Sequence, residues 1–438
     1  MASNTTPESG PNQLAAALGK ELSLASRSVH ADDSINTHSA VAPPMHVSTT
    51  FRYSRNPDNL LPWSDHDVKP TPPTCNLQRT PTPTNTPPLQ PNSTTNPYIY
   101  SRDTTPTSTR YETILSSLLG GPALSYASGL AAFHALIVFL NPKRVAIGGG
   151  YHGCHGVLRL LHKLNGLQQL ELESDADLAQ LQKGDVIHVE TPLNPTGEAR
   201  DLAWYRAKAD ELGCYLTVDA TFAPPPLMAP FDYGVDVVMH SGTKYFGGHS
   251  DMLSGVLAVR PDRADPWVGQ LRGERLHLGG VMGSLEVWLG VRSLRTLELR
   301  VVRQSESAQR LVDWLVGESG VKGSVVGELV VQVQHASQQP EAREEGSWLR
   351  KQMPNGYGPV FSVLLKSEEY AKRLPSKLAL FHHATSLGGV ESLIEWRAMT
   401  DRTVDRRLLR VSIGVEGWED LRDDLLQGLE ALTAELEN

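Results

Sequence analysis

Lys244 is the residue of this sequence best placed for covalent chemistry. It follows a Ser-Gly-Thr segment at 241–243, which comes directly after an apolar run at 235–239 that predicts a buried strand. Open α/β sheets bind ligands at the carboxyl ends of their strands. Two hydroxyls beside flexible backbone could bind a phosphate there, and burial would lower the pKa of the lysine amine and make it a usable nucleophile or base. The alternative is a surface loop with a solvated lysine.

A carboxylate occupies a comparable position earlier in the chain. The apolar run 214–218 predicts a strand that ends in Asp219, about one strand–crossover–strand unit before Lys244. Both side chains would then lie at the same edge of a parallel sheet. Such a pair suits a cofactor with a basic ring nitrogen and an aldehyde, which is pyridoxal phosphate. The carboxylate would keep the ring nitrogen protonated, and the lysine would form the Schiff base.

The glycine-rich segment 148–156 allows two other interpretations. It follows a predicted strand at 144–147 and could be a nucleotide phosphate loop, but it lacks the Gly-Lys-Ser/Thr ending of a P-loop. His152, Cys154 and His155 suggest zinc, but their tight spacing fits no common zinc site. We therefore predict no metal site and expect Cys154 to be a small filler near the cofactor.

The composition is typical of a globular protein and argues against several classes of partner. The chain has 438 residues, of which 40% are hydrophobic and 20% charged, and its formal net charge is −9. This length allows two domains, and the acidic balance argues against nucleic acid. No apolar run approaches the roughly 20 residues of a membrane span. With three cysteines and no signal-like N-terminus, the cytoplasm is the expected location.

The elements predicted around these residues alternate between strands and helices, which favours a parallel, doubly wound sheet. Beyond Lys244, we predict strands at 254–259, 324–333 and 359–365 and a long helical region at 283–314. Segment 54–97 contains 11 of the 30 prolines, so neither helix nor strand is expected there. We interpret it as a flexible insertion, and the alternative is a lid that orders on substrate binding.

Three motifs together resemble the Cys/Met-metabolism family of pyridoxal-phosphate enzymes: Val-Asp-Ala-Thr-Phe at 218–222, Ser-Gly-Thr-Lys-Tyr at 241–245 and Gly-Gly-His-Ser-Asp at 247–251. The family contains cystathionine γ-synthases, cystathionine and methionine lyases, and homoserine-ester sulfhydrylases. The resemblance implies the type I, aspartate-aminotransferase-like α/β fold. The proline-rich insertion and the departures from the family pattern at Ala220 and Thr385 indicate a specialised, fungal branch. The implied regions are an N-terminal arm (1–53), the insertion (54–97), a large cofactor-binding domain (98–290) and a smaller C-terminal α/β domain (291–438).

The resemblance also implies roles for single residues. Lys244 would form the Schiff base and move the α-proton, Asp219 would pair with the ring nitrogen, and Tyr151 would stack on the ring and assist at the leaving group. Arg410 would hold the substrate α-carboxylate, with Asn194 and Ser386 as helpers. The implied phosphate-binding residues are Ser128, Gly129, Leu130, Ser241 and Thr243, together with Tyr100 and Arg102 from a neighbouring subunit. The active sites would therefore be shared within a dimer or tetramer.

Two departures from the family pattern bear on the reaction. Ala220 follows Asp219 where the family usually has Asn, and Thr385 replaces a Glu that would suit a second amino group in cystathionine-handling relatives. We expect γ-replacement on an activated homoserine such as O-acetyl-L-homoserine, through a vinylglycine-type intermediate, with a thiol or carbon nucleophile. The alternative is β- or γ-elimination by a lyase acting on cystathionine, cysteine or methionine. Retention of Lys244 and Arg410 disfavours a catalytically silent scaffold protein.

Overall fold

The computed structural model describes residues 21–36, 40–59 and 98–436. The predicted insertion lies outside the described residues from position 60 onward. The strands are β1 (Ala123–Tyr126), β2 (Arg144–Ile147), β3 (Gln168–Glu171), β4 (Val186–Glu190), β5 (Tyr215–Asp219), β6 (Val237–Ser241), β7 (Gly255–Val259), β8 (Val330–Gln334), β9 (Val360–Leu365), β10 (His382–His383), β11 (Leu393–Trp396) and β12 (Leu408–Ser412).

The α-helices surround these strands. They are α1 (Leu24–His30), α2 (Pro106–Leu119), α3 (Gly129–Leu140), α4 (His152–Asn165), α5 (Asp175–Leu178), α6 (Leu202–Leu212), α7 (Ala264–Leu278), α8 (Ser284–Leu294), α9 (Leu297–Glu318), α10 (Val325–Leu329), α11 (Trp348–Gln352), α12 (Glu368–Arg373) and α13 (Trp418–Leu436). Among the described residues, no helix has both the length and the apolar character needed to cross a membrane.

The larger sheet has seven strands in the order β1-β7-β6-β5-β4-β2-β3. The five neighbouring strands β6, β5, β4, β2 and β3 are parallel, which agrees with the predicted doubly wound α/β fold. The exception is β7, which is antiparallel to β6 and β1. A parallel neighbour needs a crossover of a dozen or more residues, usually with a helix. The chain between β6 and β7 contains the Lys244 turn and no helix, so β7 returns in the opposite direction.

Three adjacent strands of this sheet place polar side chains at one edge. Strands β4, β5 and β6 are buried along most of their length and end in Glu190, Asp219 and Ser241. Their apolar residues contribute to clusters on both faces of the sheet, as expected for parallel strands covered by helices on each side. Glu190 and Asp219 are direct register partners. The carboxyl ends of β4, β5 and β6 therefore bring three polar side chains together at one end of an apolar sheet interior.

The smaller sheet has the order β10-β11-β12-β9-β8 and packs against α9 and α13. In its centre β11 and β12 are antiparallel, with Glu395 opposite Arg410. The prediction of one strand over 324–333 was wrong at its start, because Ser324 caps a short helix by accepting the N–H of Gly327 at 3.4 Å. The two sheets accord with the two predicted α/β regions, whose limits remain a prediction.

Helix starts differ from the predicted ones where a polar side chain caps the first turn. The sequence predicts a helix over 109–119, but α2 begins earlier, at Pro106, because Thr105 and Ser108 form a reciprocal capping box. The sequence predicts another helix over 199–212, but α6 begins later, at Leu202, because the Asp201 carboxylate accepts the first free N–H groups. The long helical region predicted at 283–314 is two successive helices, α8 and α9.

Candidate active site

Lys244 lies in a tight turn immediately after β6. Its Nζ donates a hydrogen bond of 2.6 Å to the Ser386 hydroxyl, a residue of the C-terminal part of the chain. Burial lowers the pKa of Lys244 to about 8, and the nearby Arg410 charge acts in the same direction, while Glu395 and Asp219 oppose it. An amine with this pKa is partly neutral near physiological pH, which a nucleophile or proton carrier requires.

Asp219 is buried at the end of β5, and its hydrogen bonds leave one oxygen available. Oδ1 accepts the backbone N–H of Thr221 at 2.9 Å and its hydroxyl at 2.5 Å, whereas no donor to Oδ2 is found in the described chain. Burial raises the pKa of Asp219, against the Thr221 hydrogen bonds and the Lys244 charge. A protonated ring nitrogen at Oδ2 would supply the missing counter-charge. Asp219 thus fits the pyridine side of pyridoxal phosphate.

Helix α3 begins beside the Lys244 turn and forms an anion-binding position. Ser128 is its N-cap and accepts the Ala131 N–H at 3.1 Å, which leaves other first-turn N–H groups free. A methyl group on Gly129 would lie 3.1 Å from the Ser241 side chain, so the helix start faces that hydroxyl closely. Free N–H groups and the helix dipole favour a phosphate here. The predicted residues Ser128, Gly129, Leu130 and Ser241 are therefore brought together.

Thr243 also links the Lys244 turn to Ser254. Its hydroxyl donates to the Ser254 carbonyl at 3.2 Å and accepts the Ser254 N–H at 3.0 Å. These bonds join the Lys244 turn to the residue just before β7. Because the hydroxyl proton is used in the bond to the Ser254 carbonyl, Thr243 can only accept a hydrogen bond from a protonated phosphate, through its remaining lone pair. Thr243 thus stabilises the loop whether or not it touches the phosphate.

Arg410 connects the two parts of the site. Its guanidinium donates to the Asn194 side-chain oxygen at 3.2 Å and to the Ser386 carbonyl at 2.8 Å, and it pairs with Glu395 at 2.6 Å. Burial lowers the pKa of Arg410 to about 10, and Glu395 opposes this shift. Asn194 and Ser386, the two predicted helpers, therefore both contact Arg410. Five N–H donors allow the guanidinium to keep these contacts and still offer a hydrogen to a carboxylate.

Ser386 adopts an unusual backbone conformation to hold both cations. Its φ is +82°, a region that residues other than glycine rarely occupy. In this conformation its hydroxyl faces Lys244 and its carbonyl faces Arg410. Strain of this kind persists where the surroundings impose it and is concentrated at functional sites.

Glu190 is a site residue that none of the sequence motifs contains. Its carboxylate accepts the backbone N–H of Tyr151 at 2.8 Å and that of Asn194 at 2.7 Å. Burial raises the pKa of Glu190 to about 8, and the neighbouring Asp219 adds to the shift. Glu190 therefore positions two predicted site residues. Its place at the end of a strand next to the Asp219 strand was the signal that could have revealed it.

Tyr151 is the N-cap of α4 and is 38% exposed. A methyl group on Gly153 would lie 2.5 Å from the Tyr151 ring and 2.9 Å from Leu130, so the ring lies over the first turn of α4, close to the start of α3. Burial raises the pKa of the Tyr151 hydroxyl. Cys154 is buried beneath it, and burial raises the pKa of its thiol. Cys154 therefore has the surroundings of a small core residue.

Tyr100 and Arg102 do not join this cluster within one chain. The Arg102 guanidinium lies 5.7 Å from the centroid of the exposed Tyr100 ring and donates to the Leu276 carbonyl at 3.3 Å. Tyr100 also forms a β-bridge with Thr50 of the N-terminal region. In the described part of the chain, neither side chain hydrogen-bonds to the Lys244 cluster.

The chain is similar to enzymes of sulfur amino-acid metabolism. Cystathionine β-lyase MetC of Bacillus subtilis is 32% identical over 76% of this chain and 87% of its own length. Cystathionine γ-synthase of Haemophilus influenzae is 28% identical over 75% of this chain and 86% of its own length. The crystal structure of cystathionine γ-lyase from yeast has a TM-score of 0.77 and 27% identity, covering 94% of this chain and 99% of that one.

A family model agrees with these similarities. The model described as Cys/Met metabolism PLP-dependent enzyme matches residues 25–430, which is most of the chain. The fit of Lys244, Asp219 and the α3 start to pyridoxal phosphate is independent of that match. The predicted resemblance and the predicted cofactor are confirmed, and the chain belongs to the Cys/Met-metabolism family of pyridoxal-phosphate-dependent enzymes.

Proposed function

We propose that this protein catalyses γ-replacement on an activated homoserine, with O-acetyl-L-homoserine as the substrate and a thiol or carbon nucleophile. The observation that carries the proposal is the Ser386 bridge, which holds the Lys244 amine and the Arg410 guanidinium together. An amino acid whose carboxylate binds Arg410 then has its α-carbon within reach of a proton carrier. The overall change replaces the acetate at the γ-carbon with the nucleophile, which loses its proton.

Each site residue has a defined part in this reaction. Pyridoxal phosphate, when bound, supplies an electron sink next to the substrate amino group. Lys244 takes the α-proton at Nζ and must pass that proton on before it takes a β-proton, and protons return to both carbons as the product forms. Ser386 directs that amine by its hydroxyl. Arg410 orients the α-carboxylate by charge-assisted hydrogen bonds. Tyr151 lies at the open side of the site, where its hydroxyl can donate to the departing ester oxygen.

The position before Ser386 favours replacement over elimination from cystathionine. Thr385 is exposed and provides no carboxylate for the second amino group of a long diamino acid. The competing candidate is a lyase, which is supported by the similarity to cystathionine β-lyase of Bacillus subtilis. The two reactions share the proton transfers of Lys244 and differ in whether water or a second substrate completes them.

The assembly forms part of the proposal. Tyr100 and Arg102 lie away from the Lys244 cluster of their own chain and are exposed. We infer that they complete the phosphate site of a neighbouring subunit in a dimer or tetramer. Exposed apolar residues of the N-terminal region, such as Val47 and Tyr53, would be covered by the same contact.

The deciding experiment supplies the purified holoenzyme with O-acetyl-L-homoserine, alone and with cysteine, sulfide or a small keto acid, and identifies products by mass. Replacement gives acetate and a product containing the nucleophile. A 2-keto acid and ammonia, formed at the same rate with every nucleophile, would show a lyase instead. Lys244→Ala should abolish turnover and the visible absorbance of the lysine-bound cofactor. Lys208→Ala, which removes a partly exposed lysine that is paired with Glu211 and lies outside the site, is the matched control.

A further inference from the structure

Arg397 is a buried cation for which the proposed reaction has no role. It directly follows β11 and is only 2% exposed. Its Nη1 contacts Glu395 at 3.2 Å and donates to the Thr400 hydroxyl at 3.0 Å. Its Nε and Nη2 are buried and have no hydrogen-bond partner among the described residues. Buried guanidinium donors without partners destabilise the folded chain, so a group that supplies an acceptor would be bound strongly.

Arg397 belongs to the same face of the sheet as the proposed carboxylate site. Glu395 and Arg410 are opposite each other on β11 and β12, so their side chains share a face. Arg397 is two residues beyond Glu395, and its contact with the Glu395 carboxylate shows that it lies on that face too. Both guanidinium groups contact the same oxygen, Oε2 of Glu395. The Glu395 carboxylate therefore bridges the Arg397 and Arg410 guanidinium groups.

The charges of this cluster do not balance. One carboxylate, Glu395, is shared by two arginines whose side chains are each less than one-twentieth exposed. Asp401 lies near Arg397, but its carboxylate accepts hydrogen bonds from Thr403 and forms no ion pair with Arg397 in the described chain. One substrate carboxylate at Arg410 would balance this sum, but it would leave Nε and Nη2 of Arg397 without an acceptor. Buried polar groups are normally hydrogen-bonded, which points to a second group that supplies acceptor oxygens beside Arg397.

The charge of Arg397 also reaches the open side of the site. It is among the charges that act on the pKa of the Tyr151 hydroxyl, where it opposes the raising effect of burial. It acts together with His152, at the start of α4, on Asp401. Arg397 is thus close enough for its charge to act on the Tyr151 side of the site, where a leaving group or an incoming nucleophile would be. The exposed Thr385 adds no negative charge there.

We propose that Arg397 is a specificity-determining residue that binds a second anionic group, a carboxylate or phosphate, in addition to the α-carboxylate on Arg410. This inference rests on the proposed γ-replacement. The second anion has two sources, which are an acidic acyl or phosphoryl leaving group on the homoserine and a carboxylate on the nucleophile. The substrate pair therefore carries a second anion in addition to the α-carboxylate of the homoserine.

The first test measures binding without turnover. Succinate carries two carboxylates and no amine, and butyrate is a control of equal chain length with one carboxylate. Calorimetry on the holoenzyme should show that succinate binds more tightly than butyrate. Arg397→Gln should reduce that preference about 10- to 100-fold, the value of a hydrogen bond between charged groups. Arg402→Gln, which removes an exposed charge five positions along the same loop, should leave it unchanged.

Two features keep the variant interpretable. In Arg397→Gln the buried Glu395 remains paired with Arg410 at 2.6 Å, so no unpaired charge is created. Arg397→Lys is the second variant, and it should retain part of the preference because it keeps the charge and loses the planar fork. Equal binding of succinate and butyrate by the wild type would overturn the proposal without the need for any variant.

The second test identifies the source of the anion. The ratio of kcat/KM for O-succinyl- over O-acetyl-homoserine reports an anionic leaving group, and the ratio for cysteine over cysteamine reports a carboxylate on the nucleophile. Arg397→Gln should lower one of the two ratios about 10-fold or more, and a fall in neither would overturn the proposal. If the wild type incorporates no nucleophile, γ-replacement is refuted, whereas the succinate preference and the leaving-group ratio still test Arg397.

Discussion

The lowered pKa of Lys244 should speed its reaction with pyridoxal phosphate, and two substitutions should change this pKa in opposite directions. Burial lowers this pKa from 10.5 to about 8. Only the neutral amine can attack the aldehyde of pyridoxal phosphate. At pH 7 an amine with the lowered pKa is about one-tenth neutral, against about one part in 3,000 for an unperturbed lysine, so the neutral fraction is about 300-fold larger. Capture of the cofactor by the apoenzyme should show this advantage.

The assay is the rate at which visible absorbance appears when apoenzyme and pyridoxal phosphate are mixed over a range of pH. Dividing each rate by that of Nα-acetyl-lysine in the same buffer removes the pH dependence of the aldehyde itself. The normalised rate for the wild type should be greatest at low pH, because the advantage of a lowered pKa disappears as pH rises from about 8 towards the pKa of ordinary lysine.

Two substitutions should move the titration of Lys244 in opposite directions. Arg410→Gln removes a positive charge that lowers the lysine pKa, so the titration midpoint of Lys244 should rise by about one pH unit. The buried Glu395 then keeps its contact with Arg397 at 3.2 Å, which supports folding. Glu395→Gln removes a negative charge that raises the lysine pKa, so its midpoint should fall. Movement of both midpoints in one direction, or a wild-type midpoint near that of free lysine, would refute the electrostatic reasoning.

Three further predictions concern the remaining parts of the site. Asp219→Asn should retain the cofactor and lower turnover about 100-fold or more, since it removes the charge facing the ring nitrogen; wild-type turnover would contradict this role. Between about pH 4.5 and about pH 8 the folded state keeps a proton on Glu190 that the unfolded chain has lost, so wild-type stability falls with rising pH in that window. The melting temperature of Glu190→Gln relative to wild type should therefore rise from about pH 6 to about pH 9. Equal mixtures of Arg102→Ala and Lys244→Ala subunits, refolded together, should recover activity in about a quarter of the sites, because only mixed dimers contain one intact site of their two; mixed oligomers without activity would place Arg102 in the site of its own chain.

Local sequence patterns were sufficient for the chemistry at the carboxyl ends of the strands. The apolar runs before Asp219 and Ser241 predicted buried strands, and these strands are β5 and β6. A strand buried on both faces has few alternatives to the interior of a sheet, so the residue after its last apolar position must lie at the edge. The stretch 125–132 likewise predicted the opening of an apolar helix, and in the structure Ser128, a residue type that caps helices, begins α3 at Gly129.

Contacts between distant segments could not be predicted in the same way. Lys244 and Ser386 are separated by 142 positions, and Asn194 and Arg410 by 216. Periodicity gives the face of an element that is buried, and it carries no information on which distant element covers that face. The family resemblance assigned roles to these four residues, whereas the bridging contact of Ser386 and its positive φ became visible only in the folded chain.

The sequence by itself determined which residues can do chemistry, because residue type and local apolar pattern decide where a lysine, a carboxylate or a helix start is placed. The tertiary structure alone decided how those residues are tuned. Glu190, Glu395 and Arg397 were ordinary charged residues in the sequence. Through the packing of two sheets they became a buried carboxyl group with a raised pKa, a shared counter-ion and an incompletely paired cation. Electrostatic energies depend on distance and on the exclusion of water, and both are properties of the folded chain.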